Sequence, residues 1–410
     1  MEKYKPMRLI SFEFPGNTQK VTSILSERLN SGAAIKFPFQ VAGNTSFVML
    51  NPELMLLISS IYQKNARLLQ LTCSIPEEAI EQFGYSTLVE EIQQTNEVEN
   101  VHSTRKEIRA ALHEMHEGGR SKRFAGMVRK YNMLLSHQEI PLQSCADIRR
   151  LYDDFLLDEI IRENPDNAPD GVTFRQDPTS VYSHNDQEIH KGLYPESRII
   201  ESMELALGVL NDSTIDPLIR IASFHYMFAY IHPFYDGNGR MTRFISSYML
   251  SQTFAESACL RIALVIKDHR PQYYKLFKEA NETRNFGDLT SFVIGFLTFI
   301  ERAMEDTYLV LLEKKKKYDR ATGQLENAIN QLYPSISSDM RIAMKIMLQF
   351  ALFGDKYISM KALEEITSHD RRTIDKVLTS SNLFDKKKDG HKYWWFIDLN
   401  VLAQYTPSAE

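Results

Sequence analysis

His232-Pro233-Phe234-Tyr235-Asp236-Gly237-Asn238-Gly239-Arg240-Met241-Thr242-Arg243 packs an imidazole, a carboxylate, an Asn between two glycines and two arginines into one short stretch. Upstream, Asp216 can cap and Pro217 can open a helix that runs to Ile231, with Ile221, Phe224, Phe228 and Ile231 on one apolar face. Downstream, a second helix runs from Arg240 to Phe254, with Phe244, Met249 and Leu250 available for burial. The stretch is therefore a helix–loop–helix joint with Gly-Asn-Gly at the mouth of the second helix.

Such a joint is suited to an anion. Gly237 and Gly239 let the backbone take unusual dihedrals and let a bulky oxyanion come close to it. The N–H groups there and the positive end of the helix dipole aim at the same point. Arg240 and Arg243 are three apart on one helix face, so both guanidinium groups can reach one polyphosphate. Asp236 is a hard oxygen ligand that suits Mg²⁺ beside phosphates, and His232 is the set's proton acceptor near neutral pH. Together these groups suffice to cleave a nucleoside triphosphate and pass part of it to a hydroxyl.

The dozen resembles, without a departure, the signature of Fic (Fido-fold) enzymes, His-x-Phe-x-Asp/Glu-Gly-Asn-Gly-Arg-x-x-Arg. The resemblance implies an AMP transferase that uses ATP and Mg²⁺ to adenylylate a Ser, Thr or Tyr hydroxyl of a protein target, possibly itself. It implies that His232 is the general base and that Asp236 holds Mg²⁺ between the α- and β-phosphates. Asn238 and the backbone at Gly237 and Gly239 would cradle the α-phosphate, with Arg240 on the β- and Arg243 on the γ-phosphate. Phe234 would only pack.

Two further stretches carry the resemblance. Thr95-Asn96-Glu97-Val98-Glu99-Asn100 fits Ser/Thr-x-x-x-Glu-Gly/Asn, the inhibitory helix of Fic enzymes that restrain themselves. Glu99 would pair with Arg243 and exclude the γ-phosphate, and removal of AMP by the same site is a further implied activity. Tyr273-Tyr274 followed by Ala280-Asn281 resembles an adenine-pocket element, where an aromatic face and an amide suit a purine. Between Phe174 and Glu196 the resemblance places a flap hairpin that includes Val181, with an insertion around His184 to Gly192.

Composition frames these motifs. At 410 residues, with 43% hydrophobic and 25% charged residues, the chain is an ordinary globular protein of two or three domains. A net charge of −5 argues against wholesale coating of nucleic acid. Cys73, Cys145 and Cys259 lie far apart, the pattern of a reduced cytoplasmic protein, and no apolar run is long enough to span a membrane. His113 and His116 are read as solvated helix residues, and His225 as packed or hydrogen-bonded.

The expected fold is mainly α. An α+β N-terminal region (1–105) has extended pieces at Arg8–Phe14 and Ala34–Val41 and a helix at Pro52–Gln63. A Fido-type helical core (106–300) carries the flap and helical patterns at Lys106–Glu117, Leu193–Asn211 and Asp288–Ala303. A polar linker helix (301–334) precedes residues 335–410, whose helix–helix–turn–helix–hairpin order is that of a winged helix. There Arg371, Arg372, Lys376 and Lys386 to Lys388 suit phosphates, so DNA or a protein is a candidate partner. The oligomeric state stays open.

Overall fold

The computed structural model describes residues 3–117, 123–182, 188–389 and 392–405, and it is mainly α-helical, as expected. Helices α1 (Met7–Glu13) and α2 (Thr18–Asn30) precede a hairpin of β1 (Ala34–Val41) and β2 (Asn44–Met49). Then come α3 (Pro52–Thr72), α4 (Glu77–Val98), α5 (Arg105–Glu117), α6 (Ala125–Leu135) and α7 (Cys145–Tyr152). One π-helical turn (Asp153–Leu157) joins α7 to α8 (Asp158–Glu163). A second hairpin, β3 (Ser180–Tyr182) with β4 (Glu188–Lys191), leads into α9 (Glu196–Asn211), α10 (Pro217–Ile231) and α11 (Asn238–Ser251). Short helices α12 (Glu256–Cys259) and α13 (Ile262–Asp268) precede α14 (Arg270–Asn281) and the long α15 (Thr290–Leu332). The chain closes with α16 (Ser338–Phe353), β5 (Ile358–Ser359), α17 (Met360–Thr367), α18 (Arg371–Leu378), β6 (Phe384–Asp389), β7 (Lys392–Ile397) and α19 (Leu399–Leu402).

Two compact units result. One comprises residues 1–66 and 88–305, the other residues 67–87 and 306–410. In the first, α10 begins where its capping chemistry dictates: the Leu218 N–H donates to the Asp216 carboxylate at 2.9 Å, with Pro217 at the first position. Its burial exceeds the one apolar face expected. Ser223, His225, Tyr226 and Met227 are buried along with Ile221, Phe224, Phe228 and Ile231, because α9 and α11 pack beside it and Phe277, Phe292 and Phe296 lie against its rings. This central helix sets the position of His232 at its C-terminal end.

Three expectations change. Arg8–Phe14 lies within or beside helix α1 rather than in a strand, because Met7 and Ile10 share one helical face and both are buried with Val21 and Phe47. The helix at Pro52 runs on to Thr72, since the buried stripe Leu54, Ile58, Ile61, Asn65, Leu68 keeps its 4-3-4-3 spacing beyond Gln63. The patterns at Asp288–Ala303 and beyond Glu301 are one helix of 43 residues, with the Asp288 carboxylate accepting from the Thr290 N–H at 3.1 Å at its start. Among the described residues, no helix is long and apolar enough to cross a membrane.

In the second unit β5, β7 and β6 form one antiparallel sheet in that order. Ser359 caps α17 through the Ala362 N–H, and Asp370 caps α18 through the N–H groups of Arg372 and Thr373. Leu363, Ile374, Leu378 and Trp395 fill the core between these elements. The short strand β5 has no signal in the sequence beyond Ile358, which pairs with Trp395.

Candidate active site

Gly237 takes φ +82° as the residue before α11, and a Cβ there would come within 2.8 Å of Leu156 Cδ1. Asn238 Oδ1 accepts from the Phe234 N–H at 3.0 Å, while its Nδ2 donates to the Phe234 carbonyl at 2.7 Å. The amide thus holds the loop with its oxygen and one N–H, which leaves the second Nδ2 hydrogen and the main-chain N–H for an anion. Phe234 is buried and stacks on Tyr152 with centroids 3.7 Å apart, and the Tyr152 hydroxyl donates to the Asp236 carbonyl at 3.2 Å. Braced this way, the first turn of α11 presents N–H groups that have no carbonyl one turn earlier to receive them.

The two arginines lie just beyond. Arg243 is 1% exposed and donates from Nε to Thr95 Oγ1 at 2.8 Å and from Nη2 to the Thr95 carbonyl at 3.0 Å. The same Nη2 lies 2.7 Å from Glu99 Oε1. Burial alone would push the Glu99 carboxyl up, but Arg243, Arg240 and Arg270 outweigh it and hold the group below the usual carboxylate range. Glu99 therefore stays ionised through neutral and mildly acidic pH. Its carboxylate stands where a side chain on Gly239 would be, so only glycine admits it to the mouth of α11. Asn100 ends the turn at φ +60°, which explains an Asn at that position, and Arg270 donates both Nη groups to Asn100 Oδ1 at 3.1 Å. Arg240 is wholly buried; Nη2 meets Asp236 Oδ1 at 3.2 Å, whereas Nε and Nη1 have no hydrogen-bond partner among the described residues. A buried cation with two nitrogens lacking a partner is an uncommon arrangement.

His232 ends α10 in the left-handed region at φ +53°, its N–H on the Phe228 carbonyl at 3.0 Å. Arg175, fully buried, holds it there: Nε donates to the His232 carbonyl at 2.9 Å, Nη2 to Leu193 O at 2.8 Å and Nη1 to Asp177 O. Burial, then the Arg175 cation and His190, push the imidazole down to about 3, so it is unprotonated at any physiological pH. Activity that depends on His232 as base is accordingly expected to show no acid limb down to about pH 5. A rate profile falling with a midpoint near the ordinary histidine value of about 6.5 would contradict this.

A cleft lies here, with Glu99, His232, Gly239, Arg243, Tyr274 and Asn281 among its lining residues. Tyr274 has the Arg270 guanidinium 5.9 Å from its ring, and Asn281 Oδ1 accepts from the Tyr226 hydroxyl at 2.6 Å. Tyr273 also reaches the cleft, but it is buried and its hydroxyl meets His225 Nε2 at 2.8 Å, so it backs the wall. His225 is hydrogen-bonded as expected, with Nδ1 2.8 Å from Ser246 Oγ. In the flap, Val181 pairs by its backbone with His190; the Val181 side chain and residues 183–187, with His184, lie outside the described residues. His190 stacks on Tyr230, and its Nε2 lies 2.7 Å from the Tyr230 carbonyl. Asp236 is 38% exposed, and no group of three or more metal-ligating side chains occurs among the described residues. A lone half-exposed carboxylate fits Mg²⁺ that arrives on phosphate oxygens, since that ion keeps several waters and few protein ligands.

The cleft thus brings together His232, Asn238, Gly239 and Arg243 of the motif, Glu99 and the Tyr274/Asn281 wall, while Asp236 and Arg240 pair with each other outside its lining. Arg175, Tyr152, Arg270 and His190 were not singled out by sequence. The one available clue was Arg270, four residues before Tyr274 on a helical pattern.

This geometry defines a class, a helical fold with two buried arginines at a helix mouth and a neutral imidazole lining the adjoining cleft. Residues 141–250 match the model of the Fic/DOC family, so the chain carries a Fic/DOC-family domain. The proteins named protein adenylyltransferase Fic from Drosophila sechellia and Drosophila melanogaster are each 31% identical to it over 140 residues, which are 34% of this chain and 26% of the relative. The chain spans about a quarter of the length of these curated relatives. The crystal structure of a Fic family protein from Desulfovibrio desulfuricans G20 shares the fold, with a TM-score of 0.50 and 17% identity, over 85% of this chain and 97% of that one.

Proposed function

We propose that the chain is a protein adenylyltransferase that moves AMP from ATP to a Ser, Thr or Tyr hydroxyl of a protein, itself included, and that Glu99 restrains it. The observation that carries this reading is the placement of a neutral His232 and two buried arginines around one helix mouth, with Glu99 on the second arginine. The target oxygen attacks the α-phosphorus, the bond from that phosphorus to the β-phosphate oxygen breaks, and diphosphate leaves. The hydroxyl proton passes to the His232 imidazole. Main-chain N–H groups at Asn238 and Gly239 face the charge that grows on the α-phosphate, and the free Nε and Nη1 of Arg240 take the β-phosphate. Mg²⁺ held by Asp236 would neutralise the phosphate oxygens.

With Glu99 in place, Arg243 is engaged and the γ-phosphate has no seat beside it. Glu99 also lines the cleft next to His232, a position from which a carboxylate can orient water. That favours removal of AMP as the second activity of the same site. Transfer of label from α-³²P-ATP to the protein, in the wild type and in Glu99→Gly, tests the proposal. Absence of label in both, with no added protein acting as acceptor, would overturn it. In the Glu99→Gly background, Arg243→Ala is expected to weaken ATP binding by about 10-fold, the loss of one charge-assisted pair. Unchanged affinity by calorimetry would remove Arg243 from the phosphate site.

A further inference from the structure

The first two residues of α18, Arg371 and Arg372, are exposed cations at the positive end of a helix, an arrangement that the helix dipole disfavours. They are not isolated. Arg371 lies 5.9 Å from the centroid of the Tyr393 ring, on β7. Lys386 and Lys388, on β6, come to 5.6 and 5.9 Å of the same ring. Three cations from two elements thus gather around one phenol. Lys386 is tied to Asp375 of α18 at 2.8 Å, which locks helix and hairpin together. Among the described residues, no carboxylate pairs with Arg371 or Lys388.

A row of lysines on β6 has an ordinary explanation. β6 is an edge strand of its sheet, and charges on an edge deter pairing with another chain. That accounts for residues 386–388 but not for Arg371, which comes from a separate helix to the same ring. We propose that the face made by α18 and the β6–β7 hairpin binds double-stranded DNA. The core beneath is firm: Ile374 and Leu378 of α18 and Trp395 of β7 are buried together. α18 has eight residues, about 12 Å of helix, and an α-helix of about 10–12 Å diameter enters a major groove about 12 Å wide. Its exposed side carries Arg371, Arg372 and Lys376, while Lys388 on the hairpin stands beside it to meet the flanking phosphate. This inference is independent of the transfer chemistry proposed above.

The test uses the full chain and a fluorescein-labelled duplex of about 20 base pairs, titrated between about 50 and 200 mM NaCl. Binding at micromolar concentration in low salt is expected, with affinity falling on a log–log slope of about −3. Arg371→Ala/Lys388→Ala, both exposed and remote from any core position, is expected to weaken binding at least about 10-fold and to reduce the slope by about 2. Its melting temperature should match the wild type, and His232→Ala should bind DNA as the wild type does. No anisotropy change at the lowest salt, or equal binding by the double variant, would overturn the proposal. So would tighter binding to a polyglutamate peptide of equal charge than to the duplex.

Discussion

Glu99→Gly is expected to raise AMP transfer to the protein itself by about 10- to 100-fold. The estimate follows from the contact removed: a hydrogen bond between two charged groups contributes about 1.5–3 kcal/mol, and about 1.4 kcal/mol is a factor of ten. Arg243 does not collapse when Glu99 goes, because Thr95 still accepts from its Nε at 2.8 Å and from its Nη2 at 3.0 Å. The guanidinium stays aimed and gains a vacancy of the size of a carboxylate, at a mouth where Gly239 has no side chain to fill it. Glu99→Gln separates charge from shape; its rate is expected to lie between wild type and Glu99→Gly. Equal labelling of all three proteins would place the restraint elsewhere. Mild acid should not mimic the mutation. The folded carboxyl is held below its ordinary value, so the pairing is present above that value and is lost only as pH falls through the lowered one.

His232→Ala, made on the Glu99→Gly protein, is expected to lower transfer by about 10²- to 10⁴-fold while ATP affinity stays within about a factor of two. The base acts on the target hydroxyl and makes no phosphate contact in this reading, so binding and chemistry should separate. One structural confound must be met. His232 sits at φ +53°, where Ala is strained and Asn is tolerated. His232→Asn keeps the backbone and removes the base, and it should be as inactive as His232→Ala. If Asn restored transfer, His232 would be holding the loop rather than taking the proton.

Much of the site was legible because its parts are neighbours in the chain. Residues 232–243 form one loop and one turn, and capping and helix-mouth chemistry act over that distance. Glu99 could be placed opposite Arg243 only through resemblance, since 144 positions separate them and no local rule connects them. Arg175 was invisible for a related reason. It binds carbonyls, which every residue possesses, so no partner type betrays it in the sequence. Asn238 carries a second role that the motif alone does not reveal: its side chain holds the loop through Phe234, a role that an Asn in a tight loop readily plays. The N-terminal helix α1 was misread as extended because Met7 and Ile10 are buried by partners supplied by distant residues such as Phe47.

Glu99 pairs with Arg243 and leaves Arg240 to Asp236: Arg240 keeps two buried nitrogens without an acceptor among the described residues while the Glu99 carboxylate is docked. Restraint of this kind does not close the door to nucleotide. A polyphosphate can still relieve Arg240, and whatever binds the folded chain alone stabilises it in proportion to the logarithm of its concentration over Kd. On the proposed reading the quiet form of the protein would then be a loaded one, and what a target or a regulator would have to move is the Glu99 side chain.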